Sequence, residues 1–173
     1  LDASALHVLK ETAAAGLVVV YVEDGGEQPV KRARAYDGTG LRVDARSRGS
    51  EALAAVLNEE PPAPEAVVAA AGLGADHVVM AKIETGLTMA GAQGYVVVTG
   101  PARSVRGAQL ELIQHYASAL GQRLVDYHKE QRYLSQYFAP QTISRLLSRP
   151  GYQFEYLLPR LQEVAILFSD ITS

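Results

Sequence analysis

Few residues of this sequence combine the side-chain type and the spacing that chemistry requires. It contains no cysteine, which excludes disulfides, thiolate metal sites and cysteine nucleophiles. One carboxylate stands out, because Asp170 follows the apolar segment 164–168, which reads as a strand. Such a position suits a Mg²⁺ ligand, and the alternative is a polar residue that merely ends the strand. The sequence has four histidines, at His7, His77, His115 and His128. None of them is spaced from another as metal ligands are.

Polar and aromatic side chains on predicted strands are candidates for a ligand pocket. They are Arg34, Tyr36, Lys82 and Tyr95. A shift of one residue in register turns a side chain to the other face of a sheet, so the sequence leaves open which of the four share a face. A polar cluster inside a pocket would distinguish a ligand-binding domain from a purely structural one.

The elements that must position these residues predict an α+β fold. The order helix, strands, helices, strands, helix is typical of an antiparallel sheet with helices on its faces. The Val-rich segment 17–22 indicates a strand buried on both faces. Helices are predicted at 2–15, with Gly16 as the C-terminal cap, and at 47–58 and 65–71, and strands at 17–22, 29–36, 41–45, 77–84 and 93–99.

A long helix is predicted over residues 104–138, and its apolar residues follow a heptad spacing. A second stripe lies on another face and comprises Leu112, Tyr116, Ala119 and Arg123. We therefore expect one face to cover the upstream domain and the heptad seam to pair with the same helix of a second chain. The alternative is one amphipathic helix packed within a monomer. The seam comprises Leu110, Ile113, Ala117, Leu120, Leu124, Tyr127, Leu134 and Phe138, with Gln131 as its polar member.

A break is predicted after the seam, because Pro140 disfavours helical geometry in Ala139 and cannot donate a backbone hydrogen bond. The long helix should kink or end near Phe138. A second, short helix should then begin with Pro140 in its first turn, where proline is tolerated. Its apolar face would carry Ile143, Leu146 and Leu147.

Composition narrows the class of protein. Hydrophobic residues make up 48% of the 173 residues, enough for a real core, and the formal net charge is −3. That charge gives no case for nucleic acid or an anionic membrane, and no apolar run reaches the roughly 18 residues of a membrane span. A cytoplasmic protein is expected. The chain begins at Leu1 without methionine, so we expect it to be part of a longer protein.

Residues 1–131 resemble a GAF domain. The resemblance rests on the strand at 17–22, the segment Gly-Ser-Glu-Ala-Leu-Ala-Ala-Val at 49–56, the paired strands at 77–82 and 93–98, and the long exit helix. It implies a sensor domain with an antiparallel sheet flanked by helices and a small-molecule ligand. The Asn-Lys…Phe…Asp-Glu set of cyclic-nucleotide-binding GAF domains is missing, and so is a bilin-attaching cysteine. The ligand is left open.

The C-terminal region resembles a class III adenylate/guanylate cyclase. Residues 161–173, LQEVAILFSDITS, look like the first strand of its catalytic domain, and residues 132–160 contain RYLSQYFAP and ISRLL, which look like its transducing segment. The resemblance implies that Asp170 binds the catalytic Mg²⁺ or Mn²⁺ and that the carbonyl of Ile171 assists. The remaining catalytic residues would follow Ser173, so the 173 residues alone are expected to be inactive and to need no cofactor.

The sequence therefore favours a GAF sensor and a dimerising signalling helix that control a cyclase making cAMP or cGMP from ATP or GTP. The expected partners are a second copy of the chain and a small molecule, without nucleic acid or membrane. Two alternatives stay open: a ligand-free, GAF-like dimerisation module, and the same sensor attached to a different output domain.

Overall fold

The computed structural model describes residues 1–24, 29–44, 53, 55–56, 61–74, 76–84, 94–149, 151–152, 154, 161 and 163. The chain divides into two compact units, Leu1–Lys129 and Glu130–Ser173. The helices are α1 (Asp2–Thr12), α2 (Pro64–Ala70), α3 (Ala108–Leu134) and α4 (Pro140–Leu147), with a 3₁₀ helix at Ala102–Val105. The strands are β1 (Gly16–Asp24), β2 (Pro29–Asp37), β3 (Gly40–Asp44), β4 (His77–Ile83) and β5 (Gly94–Gly100).

One five-stranded antiparallel sheet forms the centre of the first unit. Its strand order is β3-β2-β1-β5-β4, and every neighbouring pair is antiparallel. This confirms the prediction of an α+β fold with an antiparallel sheet. The strand predicted to be buried on both faces is β1, in the middle of the sheet: Leu17 and Val19 point to one face, and Val18 and Val20 point to the other.

Helices cover both faces, which explains why the central strands are apolar throughout. On one face, α1 and α3 pack on the sheet, and Leu9 and Ile113 lie in one buried cluster with Val19. On the other face, Val67 and Val68 of α2 pack in a separate cluster. The sheet therefore separates two apolar layers, and any pocket belongs to one layer or the other.

The first helix ends earlier than predicted. Ala13 closes it in the left-handed conformation (φ 51°), and its backbone N–H donates to the Lys10 carbonyl. The prediction that Gly16 is the cap was wrong, because Gly16 is already the first residue of β1. An added Cβ at Gly16 would lie 2.7 Å from a methyl carbon of Leu73, so a larger residue there requires that side chain to move.

The long helix is also shorter than predicted. Ser104 belongs to the 3₁₀ helix, and Gly107 has φ 58°, which interrupts the helical path before α3 begins. The α-helix has 27 residues, so a continuous helix over 104–138 is not present. Ser104 instead donates a 2.8 Å hydrogen bond from Oγ to the Ala13 carbonyl, which ties this segment to the end of α1.

The second unit contains the predicted helix break. Ala139 is extended (φ −66°, ψ 152°), and α4 begins at Pro140. Its apolar face carries Ile143 and Leu146, which are buried in a small cluster with Leu134 and Tyr152. The prediction of a second helix that starts with Pro140 is confirmed.

Some predicted features lie outside the described residues. Of the helix predicted at 47–58, only Leu53, Ala55 and Val56 are described, and they are helical. Asp170 and Ile171 are not described. In the described part of the chain, no helix has the length and apolar character needed to cross a membrane.

Candidate ligand pocket

A cavity of about 490 Å³ lies in the first unit, on the sheet face that α1 and α3 cover. Its volume falls in the range of small-molecule sites, about 300–1,000 Å³. Of the described residues that line it, seven of twelve belong to α3. The described part of the wall consists of Leu1, Ser4, Tyr21, Val22, Arg34, Tyr116, Ala119, Leu120, Arg123, Leu124, Tyr127 and His128.

Sheet register brings Arg34 to this cavity. In β2, Arg34 pairs with Val19 of β1, and Tyr36 pairs with Leu17. Directly opposed residues in an antiparallel pair share a face, so both side chains lie with Val19 and Leu17 on the α1/α3 side. Two of the four predicted pocket residues are thus brought together.

Arg34 and Tyr36 form a polar cluster around the start of α1. Arg34 donates from Nη1 to Asp2 Oδ1 (2.7 Å) and from Nη2 to Asp44 Oδ2 (3.3 Å). The Tyr36 hydroxyl donates to the same Asp2 oxygen (2.7 Å), and this bond, together with the positive charge of Arg34, lowers the pKa of Asp2. Burial and then the Asp2 contact raise the pKa of Tyr36. The phenol therefore stays protonated and holds α1 to β2.

Two buried polar atoms in the cavity wall have no hydrogen-bond partner among the described residues: Arg34 Nε and Tyr116 Oη. Burial raises the pKa of Tyr116. The nearby Ser4 hydroxyl acts on that pKa in the opposite direction, but it makes no hydrogen bond of ordinary geometry with Tyr116 and donates instead to the Leu1 carbonyl (2.8 Å). A buried donor without a partner costs about 1–3 kcal/mol. The wall therefore carries two polar groups, Arg34 Nε and the Tyr116 hydroxyl, that a hydrogen-bond acceptor would satisfy.

The other two predicted pocket residues lie on the opposite face. Lys82 pairs with Tyr95, and Tyr95 pairs with Val20, whose row faces α2. Tyr95 is buried in that layer and Lys82 is exposed. The four candidates do not form one pocket, because Arg34 and Tyr36 occupy alternate positions of β2 on one face while the register places Lys82 and Tyr95 on the other.

The predicted dimer seam is divided as well. Ile113 and Ala117 are 0% and 1% exposed and belong to the core under the sheet, and Leu120 and Leu124 pack against that core. Over this stretch the seam faces its own sheet, as the monomeric alternative predicts. Of the remaining positions, Leu110 is half-buried, Tyr127 lines the cavity, Leu134 is buried within the second unit and Phe138 is 38% exposed.

The second stripe of α3 supplied the residue that the pocket prediction missed. Tyr116 was predicted to lie on the face of the helix that covers the upstream domain, and it is part of the core beneath the sheet. Its hydroxyl also lines the cavity without a hydrogen-bond partner, which makes it part of the candidate site. Asp2 was missed too, because its contacts with Arg34 and Tyr36 span more than thirty residues of sequence. No spacing rule in a single sequence reports such a contact.

The described ranges contain no group of three or more His, Cys, Asp or Glu side chains that could hold a metal ion. The predicted metal ligands Asp170 and Ile171 are not among the described residues.

Comparisons of the chain with family models, with curated proteins and with solved structures find no match. The GAF and cyclase assignments stay predictions.

Proposed function

We propose that the first unit is a regulatory sensor domain of the GAF type, which binds a small molecule and controls a class III adenylate or guanylate cyclase through α3. The observation that carries the proposal is the composition of the cavity wall. Most of the wall is the helix that leads, in sequence, to the cyclase-like segment 132–160. A ligand in the cavity therefore touches the element that would carry the signal.

Ligand binding can be coupled to the output only if the ligand contacts α3 differently in two conformations of the protein. A ligand shifts a conformational equilibrium only as far as its affinities for the two states differ. Tyr116, Leu120 and Leu124 line the cavity, and Tyr116 also belongs to the core beneath the sheet. A ligand that holds these side chains in one arrangement favours one position of α3 on the sheet. The cyclase, with its Mg²⁺ or Mn²⁺, would respond to that position.

A homodimer is part of the proposal, because class III cyclase sites form between two catalytic domains. Ile113 and Ala117 are occupied by the sheet, so we place the dimer contact in the second unit. There Tyr133 and Tyr137 are 60% and 66% exposed, with ring centroids 5.6 Å apart, and Phe138 is exposed beside them in sequence. Exposed aromatic residues in such a group are typical of protein interfaces.

The two alternatives differ from this proposal in what they require. A ligand-free dimerisation module would leave Arg34 Nε and the Tyr116 hydroxyl buried without an acceptor, at a cost in stability, whereas a ligand with an acceptor would satisfy both. A different output domain would leave the sensor unchanged and would replace only the cyclase. The cavity supports a sensor over a structural module, and the segments 132–160 and 161–173 support the cyclase.

Enzyme assays test the proposal directly. We expect the complete gene product to convert ATP or GTP to a cyclic nucleotide with Mg²⁺ or Mn²⁺, and the 173-residue chain to produce none above a heat-treated control. The reason is that Asp170 is the one metal-binding aspartate that the cyclase resemblance matches, and a two-metal site needs a second. A complete gene product without cyclase activity on either nucleotide would refute the assignment of the output.

A further inference from the structure

The proposed function leaves open what the sensor binds, and the rings in the cavity wall restrict the answer. Aromatic residues make up 7% of the sequence, whereas three of the twelve described lining residues are tyrosines. They are Tyr21, Tyr116 and Tyr127, and His128 adds a fourth ring to the wall. The described lining is therefore richer in rings than the chain as a whole.

The tyrosine rings come from two elements of the first unit. Tyr21 lies on β1 and packs against the core, and Tyr116 and Tyr127 lie on α3. A ligand in the cavity therefore meets rings of both the sheet and the helix that covers it. Tyrosine has only two side-chain torsions to fix, so these rings offer a large contact area at a small cost in conformational entropy.

The structure already holds two of these rings in place. Tyr116 is 9% exposed and belongs to the buried core under the sheet. Tyr127 packs edge-on against the ring of His128, with 6.0 Å between the ring centroids and 60° between the planes. This spacing lies in the range of favourable ring pairs. The wall thus already contains the kind of contact that a ring of the ligand would extend.

We propose that the cavity binds a ligand with a planar aromatic ring system, which packs against Tyr21, Tyr116 and Tyr127. This ligand class rests on the proposed sensor function. A saturated ligand of the same shape would gain chiefly from burial of its apolar surface. An aromatic ligand gains in addition from offset-stacked or edge-to-face contacts with the tyrosine rings. The wall therefore selects an aromatic body over a saturated one.

Two probes test the ligand class by isothermal titration calorimetry: 2-naphthamide and its saturated counterpart, decahydro-2-naphthamide. Both are uncharged and carry the same carboxamide, so neither charge nor hydrogen bonding separates them. The saturated probe has at least as much apolar surface, so burial alone predicts that it binds as tightly as the aromatic probe or more tightly. Because of the ring contacts, we expect 2-naphthamide to bind about tenfold more tightly.

Three variants locate the source of that preference. Tyr127→Leu removes a ring from the wall and keeps an apolar side chain on α3, so the preference should fall to about threefold or less. Tyr116→Phe keeps its ring and should leave the preference unchanged. Tyr133→Leu is the matched control, because it removes a 60% exposed ring in the second unit that does not line the cavity.

Equal binding of the two probes, or tighter binding of the saturated one, would overturn the ligand class and leave a ligand-binding sensor intact. An undiminished preference in a folded Tyr127→Leu variant would overturn it as well, because the cavity rings would not be its source. If neither probe binds, the ligand class is overturned, and the sensor proposal is decided separately by whether filling the cavity changes the cyclase rate. The comparison of the two probes on the unmodified protein depends on no variant.

Discussion

Replacing Gly121 by alanine is expected to lower the free energy of unfolding by about 2–3 kcal/mol. Gly121 lies within α3, where alanine would ordinarily stabilise a helix by about 1 kcal/mol. Packing reverses the sign here, because an added Cβ would collide with the backbone carbonyl oxygen of Glu84, just after β4. Backbone cannot rotate away as a flexible side chain can, so α3 must move off the sheet. Urea denaturation followed by circular dichroism measures the change.

Gln122→Ala is the matched control, since Gln122 is the next residue of α3 and is exposed. It should change stability by less than about 0.5 kcal/mol. An alanine at Gly121 that stabilises the protein would show that α3 does not approach the sheet so closely. The result bears on the proposed ligand site, because Gly121 lies between Leu120 and Leu124, which line the cavity, and sets how near the helix comes to the sheet.

Replacing Ile113 by alanine should cost about 2–5 kcal/mol, through lost burial and the cavity left behind. Ile113 is fully buried in the core with Val19 and Val96. The loss should be independent of protein concentration, because those contacts lie within one chain. Denaturation midpoints measured over a hundredfold range of concentration test this.

Leu110→Ala is the companion variant, since Leu110 is only half-buried and should cost less. An inter-chain seam at Ile113 predicts a different pattern: dissociation of a dimer, with a midpoint that falls on dilution. That pattern would contradict the packing of α3 on its own sheet and restore the heptad seam as a dimer contact.

The sequence alone left both of these arrangements open. A heptad seam and the buried stripe of an amphipathic helix both place apolar residues three and four apart, so Ile113, Ala117, Leu120 and Leu124 satisfy both patterns. Only the facing surface decides between them. The face used here adds Tyr116 to that stripe, which the strict heptad spacing omits.

Strands were easier to predict than their faces. The Val-rich runs of β1 and β5 mark a sheet covered on both sides, because no other environment buries every residue of a strand. Which face a polar residue takes depends on register with partners far away in the sequence. The sequence therefore left open which of Arg34, Tyr36, Lys82 and Tyr95 share a face. The break at Pro140 was predictable because its cause is local.

The central claim is that the cavity against α3 regulates the output. A larger side chain in the cavity should act as a permanent ligand, and Ala119, an exposed lining residue of α3, is the place to put it. Ser118→Phe is the matched control, because the exposed Ser118 is the preceding residue of the helix and does not line the cavity.

The decisive measurement is the rate of cyclic nucleotide formation by the complete gene product carrying Ala119→Phe or Ser118→Phe. We expect Ala119→Phe to change the rate, in either direction, by about fivefold or more, which corresponds to a coupling free energy of about 1 kcal/mol. Ser118→Phe should leave the rate within about twofold of the unmodified protein. Equal rates for the unmodified protein and a folded Ala119→Phe variant would contradict regulation through this cavity.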